Sequence, residues 1–394
     1  MLLMKLNMEN ESETSEKNTK KASDKSGINQ NRVLKAVFPG KYIQGEGLIA
    51  GLPASIRSFG KHGMILSSHS VKSNILPKYL QTFVGNNILI EEFRGECCEK
   101  ELKRVSDIIV RNNIDVVVGM GGGKVIDTAK IVSDRAGLPV IIVPTIASTD
   151  APCSGCAVIY SEVGVFESVY YQKMNPQVVL VDMHVIAGSP ARFLVSGMGD
   201  ALATWFEARS CERTQSMNEC GGYSTMTGLN LAKLCYDTLL LYGHAAKTAN
   251  ENNIITPALY RIVETNILLS GIGFESSGLA SAHSIHNGLS AMEETHVFYH
   301  GEKVAFGVLA GLHLTDALPS EMETVYSFCE KIGLPTTLND IGLKNIDKSG
   351  LMKVATKACA PAEGIHHEAG TITPEKVMDA IIAADAMGKI RKMN

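Results

Sequence analysis

The sequence predicts an α/β domain built on a parallel sheet, followed by an all-helical domain. The 394 residues are too many for one ordinary core and indicate about two domains of ~150–200 residues each. From about residue 33 to 182, short apolar runs alternate with helical stretches. After Pro190 the β-branched runs disappear and helical spacing dominates. We therefore predict an α/β domain over residues 32–190 and a helical domain over residues 191–394.

A polar segment precedes the first domain. After Leu6, residues up to about 31 are rich in Lys, Glu, Ser, Thr and Asn and contain almost no large apolar side chains. Such a composition buries too little apolar surface to offset the entropy lost on ordering. A targeting peptide is disfavoured because Glu9, Glu11 and Glu13 are acidic and arginines are few. We therefore predict a disordered tail over residues 1–31.

Short apolar runs mark the strands of the α/β domain. Runs without polar alternation are typical of strands that are buried on both faces of a parallel sheet. Two intervening stretches, 99–113 and 124–136, have helical spacing and are predicted to cross over between strands. The predicted strands are 64–66, 87–90, 115–118, 140–143, 157–160 and 178–181.

Helical spacing predicts that the second domain consists of helices. Apolar residues recur there at intervals of three and four positions, and we find no internal repeat. Two domains joined in this way leave a cleft between them, which is a favoured place for small ligands. The predicted helices are 197–211, 224–242, 255–274, 276–290, 302–316, 319–332 and 376–391.

Composition excludes several classes of protein. The net charge of -4 and a pI near 6.3 argue against nucleic-acid and membrane-surface binding, and no apolar run reaches the ~18 residues that span a bilayer. Nine cysteines, an odd number in a long chain, indicate reduced thiols and hence a cytoplasmic location. Cys153 and Cys156 are spaced like a redox or metal pair, but no second such pair exists, which favours an incidental spacing.

A run of glycines between a predicted strand and a predicted helix is the first candidate binding motif. Gly121, Gly122 and Gly123 precede Lys124 at this junction. Glycines permit positive φ angles and close approach of the backbone to a ligand, and free N–H groups at a helix start face anions such as pyrophosphate. The spacing is not G-x-G-x-x-G, and it lacks the full triphosphate-loop pattern. A tight turn without a ligand is the alternative, although a helix start does not need three glycines.

A second candidate loop follows the next strand, over residues 144–152. It lies at the carboxyl end of a predicted parallel strand, where ligands of open α/β sheets bind. Thr145 and Ser148 can bond phosphate or ribose, and Asp150 can bond a substrate hydroxyl. Ordinary loop and capping chemistry is the alternative, because Ser, Thr and Asp favour such places without any ligand.

The helical half contains three candidate metal ligands, Asp200, His283 and His300. One carboxylate and two imidazoles suit Zn²⁺ with an open fourth position, and they can also hold Fe²⁺. Asp200 stands at the start of a predicted helix, so N-capping is its alternative role. His283 and His286 are three residues apart on one helix face, where a histidine packed in the core is the alternative.

Taken together, these motifs resemble the glycerol dehydrogenases of the iron-containing alcohol dehydrogenase superfamily. The resemblance extends from about Pro39 to about residue 390 and leaves out only the polar tail. It implies the two-domain, dehydroquinate synthase-like architecture, NAD-dependent oxidation of glycerol to dihydroxyacetone and one Zn²⁺ per subunit. It also implies a homo-oligomer, for which an octamer is the candidate. The segments that carry the resemblance are 39–42, 121–124, 144–153, 199–209, 273–287 and 299–307.

The resemblance also implies roles for individual residues. A catalytic zinc would be held by Asp200, His283 and His300, and the substrate would be contacted by Asp150. Cys156 fits loosely, because relatives tend to have an aliphatic residue at its position. The implied cofactor contacts are Gly123, Lys124, Thr145, Ser148, Ser154, Cys156 and Tyr160, and the glycine turn adds Gly121 and Gly122.

Two positions depart from the family pattern. Relatives that use iron carry a His four residues after the metal-binding Asp, where this chain has Thr204, so a three-ligand zinc site fits better. Relatives usually have an Asp just past the first strand, which bonds the adenine ribose and repels a 2′-phosphate. Ser68 stands there, residues 47–90 contain no acid, and Lys61 and Lys72 are near in sequence. We therefore predict weaker discrimination against NADP than in relatives.

The predicted mechanism is hydride transfer from the secondary carbon of a small polyol to the nicotinamide, with a substrate hydroxyl held by the zinc. Asp150 would anchor a neighbouring hydroxyl. The proton would leave by water through His286, whose alternative role is to orient a metal ligand.

Three other functions remain as alternatives. Propane-1,2-diol or a similar vicinal diol is compatible with the same residues. A glycerol-phosphate dehydrogenase needs a positive cluster, and residues 149–160 contain no Lys or Arg. A non-catalytic nucleotide-binding protein is disfavoured because the glycine turn and all three metal ligands are present.

Overall fold

A parallel sheet forms the centre of the N-terminal half. The computed structural model describes residues 32–393, so the predicted tail over residues 1–31 lies outside the described residues. The strands are β1 (Tyr42–Gly45), β2 (Gly63–Ser67), β3 (Ile88–Glu92), β4 (Val116–Gly121), β5 (Val140–Pro144), β6 (Cys156–Tyr160), β7 (Phe166–Tyr171) and β8 (Val178–Asp182). Six of them form one sheet in the order β1–β8–β5–β4–β2–β3, and each neighbouring pair is parallel.

Apolar side chains cover both faces of this sheet. Every residue of β2, β4, β5 and β8 is buried. Successive side chains of a strand point to opposite faces, and in β4 Val117 joins one apolar core whereas Val116 and Val118 join another. The runs without polar alternation are therefore explained by burial on both faces, and the predicted α/β fold with a parallel sheet is confirmed.

Helices connect the strands, and two of them match the predicted crossovers. Short 3₁₀ segments (Leu48–Gly51 and Leu76–Lys78) and a π turn (Val71–Ile75) complete the connections. Gly137 ends the helix that follows β4, because its φ of 68° is left-handed and favours glycine. The helices are α1 (Leu52–Arg57), α2 (Leu80–Phe83), α3 (Glu99–Arg111), α4 (Gly123–Ala136) and α5 (Met183–Ala187).

One predicted strand lies outside the sheet. β6 pairs with β7 as an antiparallel hairpin, separate from the six parallel strands. Residues 157–160 were expected among the strands of the α/β half, and they are extended, but only alternate residues of β6 are buried. A strand buried on one face suits a hairpin over the core rather than the centre of a parallel sheet.

The remainder of the described chain is helical, as predicted. No helix among residues 32–393 has the length and apolar character that crossing a membrane would require. Short 3₁₀ segments occur at Glu293–Thr295, Leu338–Ile341 and Gly364–His367. The helices are α6 (Ala191–Thr214), α7 (Met226–Glu251), α8 (Pro257–Glu264), α9 (Ser270–Ser277), α10 (Ser281–Leu289), α11 (His300–Leu314), α12 (Pro319–Ile332), α13 (Lys348–Ala358) and α14 (Pro374–Met393).

A π turn interrupts the helix that was predicted over residues 255–274. The turn, Thr265–Leu269, lies between α8 and α9. Its Asn266 donates side-chain hydrogen bonds to the carbonyl oxygens of Ala147 at 2.9 Å and Leu194 at 3.0 Å. Inserted π turns frequently occur at functional sites. Here the turn ties the loop after β5 to the start of α6, and the boundary at residue 190 stays a prediction.

Candidate active site

Three side chains from the helical half converge on one point. The carboxylate oxygen Oδ1 of Asp200 lies 3.3 Å from Nε2 of His283 and 3.1 Å from Nε2 of His300. One ligand atom from each residue lies within 4.8 Å of the other two. Asp200 is fully buried, and both imidazoles are half-buried. The structure therefore brings together the three residues that were predicted as metal ligands.

The oxygen Oδ1 of Asp200 has no hydrogen-bond partner among the described residues. Nε2 of His283 and Nε2 of His300 lie within ion-pair distance of this oxygen. A buried acceptor without a partner costs roughly 1–3 kcal/mol. A divalent cation shared by the three ligand atoms would satisfy it, and one carboxylate with two imidazoles is a donor set that Zn²⁺ and Fe²⁺ accept. The residues present therefore fit a metal ion.

Each ligand is fixed by a different helix. Asp200 lies within α6, nine residues after the helix begins at Ala191. Its alternative role as an N-cap is therefore wrong, because the helix starts earlier than the predicted residue 197. His283 lies in the first turn of α10, and His300 is the first residue of α11. Three helix segments thus meet at the site.

Glycines allow α6 and α11 to cross in close contact. A Cβ on Gly301 would lie 2.8 Å from the backbone nitrogen of Asp200 and would overlap the carbonyl oxygen of Ser196. A Cβ on Gly199 would overlap the carbonyl oxygen of Gly301. The missing side chains therefore let the backbones on which Asp200 and His300 stand approach each other.

A buried glutamate that sequence reasoning missed orients His283. Oε2 of Glu207 lies 2.6 Å from Nδ1 of His283, and Oε1 accepts the backbone N–H groups of Ala280 and His283, each at 2.9 Å. A carboxylate on the far nitrogen fixes the tautomer and ring direction of a metal-binding histidine. Glu207 follows Asp200 by seven residues on α6, and this two-turn spacing on one helix face was the available signal.

A second chain of contacts reaches His300. Nδ1 of His300 lies 3.1 Å from Nε2 of His286, whose Nδ1 lies 3.1 Å from the side-chain oxygen of Asn287. The amide group of Asn287 donates to both carboxylate oxygens of Glu363, at 3.0 and 3.2 Å. His286 thus contacts the candidate ligand His300 and not Asp200. This position is compatible with both predicted roles of His286, proton relay and orientation of a metal ligand.

Burial and neighbouring charges determine ionisation at the site. Burial opposes ionisation of Asp200, but His300 and His283 outweigh it and hold the pKa of this carboxyl well below its usual range. Burial alone would lower the pKa of His283, yet nearby carboxylates raise it well above the usual range. Burial and His300 lower the pKa of His286, whereas burial and Asp200 raise the pKa of Asp150. A bound cation would favour the ionised form of Asp150 by direct attraction.

Asp150 lies beside these ligands. Its backbone N–H donates to Oδ2 of Asp200 at 3.2 Å, and its own Oδ2 accepts the hydroxyl of Ser270 at 3.2 Å. The hydroxyl of Ser270 also lies 2.9 Å from that of Thr204. Thr204, which replaces the extra histidine of iron-using relatives, is therefore engaged with Ser270. The loop after β5 places Asp150, the predicted substrate contact, beside the candidate metal ligands.

The glycine turn lies where β4 meets α4. Gly122 precedes the helix with extended backbone angles, and none of Gly121, Gly122 and Gly123 has a positive φ. Of the two properties of glycine considered from the sequence, positive φ is not used at these three positions, which leaves close approach of the backbone to a ligand as the predicted role. Nothing lies within 4 Å of a Cβ built on Gly123. The backbone N–H of Thr145 donates a hydrogen bond to the carbonyl oxygen of Gly121 at 3.1 Å. This bond joins the two predicted cofactor loops.

Two further predicted cofactor residues lie together beyond this turn. The ammonium of Lys124 is 5.5 Å from the centre of the Tyr160 ring and pairs with the carboxylate of Glu96. Half of the Lys124 side chain is exposed. The ammonium of Lys124, an implied cofactor contact, is thus paired with Glu96, an acid that sequence reasoning did not consider.

The last three predicted cofactor residues make contacts within the protein. The carbonyl of Ser148 accepts the hydroxyl of Ser196 at 3.4 Å. The hydroxyl of Ser154 and the carbonyl of Cys156 both accept hydrogen bonds from Lys130. All nine cysteines are free, and burial raises the pKa of the Cys156 thiol well above its usual range. A redox role for the C-S-G-C run is disfavoured, because a buried thiol with a raised pKa is rarely a thiolate.

Basic and acidic side chains surround Ser68. Its N–H donates to the carbonyl oxygen of Met120 at 3.3 Å, beside the glycine turn. Lys72 lies 3.0 Å and His69 lies 2.9 Å from the carboxylate of Glu92, at the end of the neighbouring strand β3. Lys61 precedes β2 and therefore lies at the opposite end of that strand. Of the two lysines considered from the sequence, only Lys72 is near Ser68.

Comparison with known proteins extends these observations. Residues 39–183 match the family described as iron-containing alcohol dehydrogenase. The curated glycerol dehydrogenase of Thermotoga maritima is 50% identical over 361 residues, which cover 91% of this chain and 99% of that protein. The curated glycolaldehyde reductase of Halobacterium salinarum is 41% identical over 355 residues, which cover 89% of this chain and 97% of that protein.

A solved structure has the same fold. The crystal structure of a probable glycerol dehydrogenase from Sinorhizobium meliloti 1021 matches with a TM-score of 0.87 and 42% sequence identity. The match covers 91% of this chain and 99% of that chain. The similarity therefore includes the helical half, from which Asp200, His283 and His300 come.

Proposed function

Because this chain belongs to the iron-containing alcohol dehydrogenase family, in the group of the glycerol dehydrogenases, we propose that it oxidises glycerol to dihydroxyacetone with NAD. The observation that carries the proposal is the convergence of Asp150 with Asp200, His283 and His300. A carboxylate beside a metal-binding cluster can orient a polyol, which has a second hydroxyl next to the one that reacts.

Asp200, His283 and His300 would hold the metal ion, and we propose zinc. When bound, the ion supplies a Lewis acid that lowers the pKa of a substrate hydroxyl. Thr204 supports zinc over a four-ligand iron site, because it stands where a fourth ligand, an imidazole, would be needed. Its hydroxyl contacts that of Ser270 instead. Glu207 holds His283 in the orientation that presents Nε2 to the site.

Asp150 would accept a hydrogen bond from the neighbouring hydroxyl of the substrate. Its Oδ2 already accepts the hydroxyl of Ser270, which fixes the plane of the carboxylate. Burial and His300 hold the pKa of His286 well below its usual range, so this imidazole would be neutral. We propose that it passes a proton on to water without storing it, through its contacts with His300 and Asn287. The glycine turn and the 145–148 loop would hold the dinucleotide, which supplies the hydride acceptor.

The proposal includes a homo-oligomer, with an octamer as the candidate, and a cytoplasmic location. The location is supported by the nine free cysteines, because reducing compartments preserve thiols. The expected small-molecule partner is a polyol.

A second candidate substrate is a small hydroxyaldehyde or another vicinal diol. The 41% identical relative from Halobacterium salinarum is named for glycolaldehyde reduction. Glycolaldehyde and glycerol share two adjacent oxygen-bearing carbons, so Asp150 and the metal ligands could engage either. A hydroxyaldehyde would be reduced whereas glycerol or another diol would be oxidised, but the same residues would act in each case.

Initial rates test the proposal most directly. Protein stripped of metal should not reduce NAD with glycerol, and zinc should restore turnover. Parallel assays with propane-1,2-diol, and with glycolaldehyde and NADH, decide between the candidate substrates. Folded, zinc-binding protein that turns over none of these compounds would overturn the proposed function.

We predict that Gly123→Leu blocks the dinucleotide without harming the fold. No atom lies within 4 Å of an added Cβ, and leucine favours a helix over glycine by roughly 0.8 kcal/mol. A leucine side chain would occupy the space over the start of α4, where we propose that the dinucleotide binds. The Kd for NADH should therefore rise by more than about tenfold, ~1.4 kcal/mol. Calorimetric titration measures the Kd. Gly51→Leu, also in open space, is the control. Equal NADH binding by both variants would place the cofactor elsewhere.

We predict that Ser68→Asp increases the preference for NAD over NADP. The new carboxylate would repel a 2′-phosphate, and the ratio of kcat/KM values should shift by at least about tenfold. Ser70→Asp adds the same charge on an exposed residue and should shift the ratio less. A wild-type preference for NAD of thousands-fold, or equal shifts in both variants, would contradict the role given to Ser68.

A further inference from the structure

Lys130 is a fully buried cation on α4. An ammonium group has three N–H donors, and its Nζ bonds the carbonyl of Ala151 at 2.8 Å, the hydroxyl of Ser154 at 3.2 Å and the carbonyl of Cys156 at 2.5 Å. All three acceptors belong to the segment that follows Asp150, residues 151–156. Burying a charge is costly unless it is bonded in this way.

A buried anion holds the same segment from the helical half. Oε1 of Glu275, on α9, accepts the N–H of Gly155 at 2.9 Å, and Oε2 accepts the side-chain amide of Asn175 at 2.6 Å. That amide also donates to the carbonyl of Cys153 at 3.0 Å. A Cβ on Gly155 would lie 2.9 Å from Oε1 of Glu275, so glycine permits this close approach.

The segment that these two charges hold begins directly after Asp150, the residue beside the candidate metal ligands. Ala151, whose carbonyl bonds Lys130, is the next residue after Asp150. α9 adds two constraints, because Ser270 bonds Oδ2 of Asp150 and a Cβ on Gly271 would lie 2.8 Å from the Asp150 carbonyl oxygen. A shift of Ala151 would pass through the chain to Asp150, whose backbone N–H bonds Oδ2 of Asp200.

We propose that Lys130 and Glu275 are positioning residues, which hold residues 151–156 from α4 and from α9 and so fix where Asp150 meets the substrate. This inference rests on the proposed function, because it assumes that Asp150 contacts the substrate. A purely stabilising role is a weaker explanation, because burying two charged side chains costs free energy that apolar residues at the same places would not require.

The test compares Lys130→Met and Glu275→Gln with Lys103→Met, which removes an exposed lysine from α3. A diol preference is measured as kcat/KM for propane-1,2-diol divided by that for propan-2-ol, which lacks the neighbouring hydroxyl. We expect both buried variants to lower this preference by about tenfold to hundredfold, as misplacement of about 1 Å can do, mainly through KM. Lys103→Met should leave it unchanged.

A second measurement does not depend on turnover. Amide hydrogen exchange of residues 151–156 should accelerate by about tenfold or more in the buried variants, as expected when a segment loses local stability of ~1.4 kcal/mol. α6 and α10 should keep their protection. If Lys130→Met does not fold, Glu275→Gln carries both measurements, because it keeps the shape of the side chain.

The outcomes separate the two proposals. Unchanged exchange, or faster exchange with an unchanged diol preference, would overturn the positioning role. An additive effect of Glu275→Gln and Asp150→Asn on the diol preference would also overturn it, since residues that act through one contact are not additive. Failure of the wild-type protein with every diol would instead reject the proposed function, while the exchange measurement would still decide whether Lys130 and Glu275 hold the segment.

Discussion

Replacing His283 with alanine is expected to abolish metal-dependent turnover. The substitution removes one of the two imidazoles that lie beside Oδ1 of Asp200, and with it one of the three candidate metal ligands. Even the outer partners of metal ligands are worth ~10–100-fold in affinity or activity, so kcat/KM should fall by more than about a hundredfold. Metal affinity should fall in parallel, measured by competition with a chromogenic chelator.

The fold should survive this substitution. Glu207 loses its contact with the imidazole but keeps the N–H groups of Ala280 and residue 283, because those belong to the backbone. NADH binding should therefore remain close to that of the wild type. His244→Ala, an exposed histidine on α7, is the control and should leave metal content and turnover unchanged. Normal turnover by His283→Ala would remove the metal assignment.

The parts of the fold that the sequence predicted are those with strong local patterns. Apolar runs identified strands such as β4 and β5, because burial on both faces requires an unbroken run. β7 was not predicted, since it is exposed almost throughout and owes its conformation to pairing with β6. α13 was also missed, although Leu351, Val354, Ala355 and Ala358 repeat with helical spacing, because few of its side chains are large and apolar.

The candidate site was less accessible to sequence reasoning. Asp200 and His300 are separated by one hundred positions, so their spacing carries no information. Their side-chain chemistry made them candidates, and the family resemblance supplied the stronger reason to group them. The groups that orient the other site residues had weak signals. Glu207, which contacts His283, follows Asp200 by two helical turns on α6. Lys130, which bonds the segment after Asp150, is a charged residue among the apolar residues of α4. The cost of burying such charges indicates a partner, but only the folded chain identifies it.

Gly301→Ala is expected to have the largest effect on stability. The added methyl would overlap the carbonyl oxygen of Ser196, on α6, and α6 packs directly against α11. The methyl would also lie 2.8 Å from the backbone nitrogen of Asp200. Because both obstacles are backbone atoms, no side chain can move aside and the helices must separate. Overpacking of this kind costs about 1–3 kcal/mol, occasionally more. The free energy of unfolding, measured with urea, should fall by at least that amount.

Gly51→Ala is the matched control, because nothing lies within 4 Å of its Cβ and its φ of -85° suits alanine. There the same change should leave stability unaltered or raise it by about 0.4–1 kcal/mol. The two substitutions thus have opposite expected signs although they add the same methyl group. Separation of α6 from α11 should also move Asp200 away from His300 and weaken metal binding, which Gly51→Ala should not affect. If Gly301→Ala unfolds at the wild-type urea concentration and binds metal normally, the close helix crossing is not what holds the two ligands together.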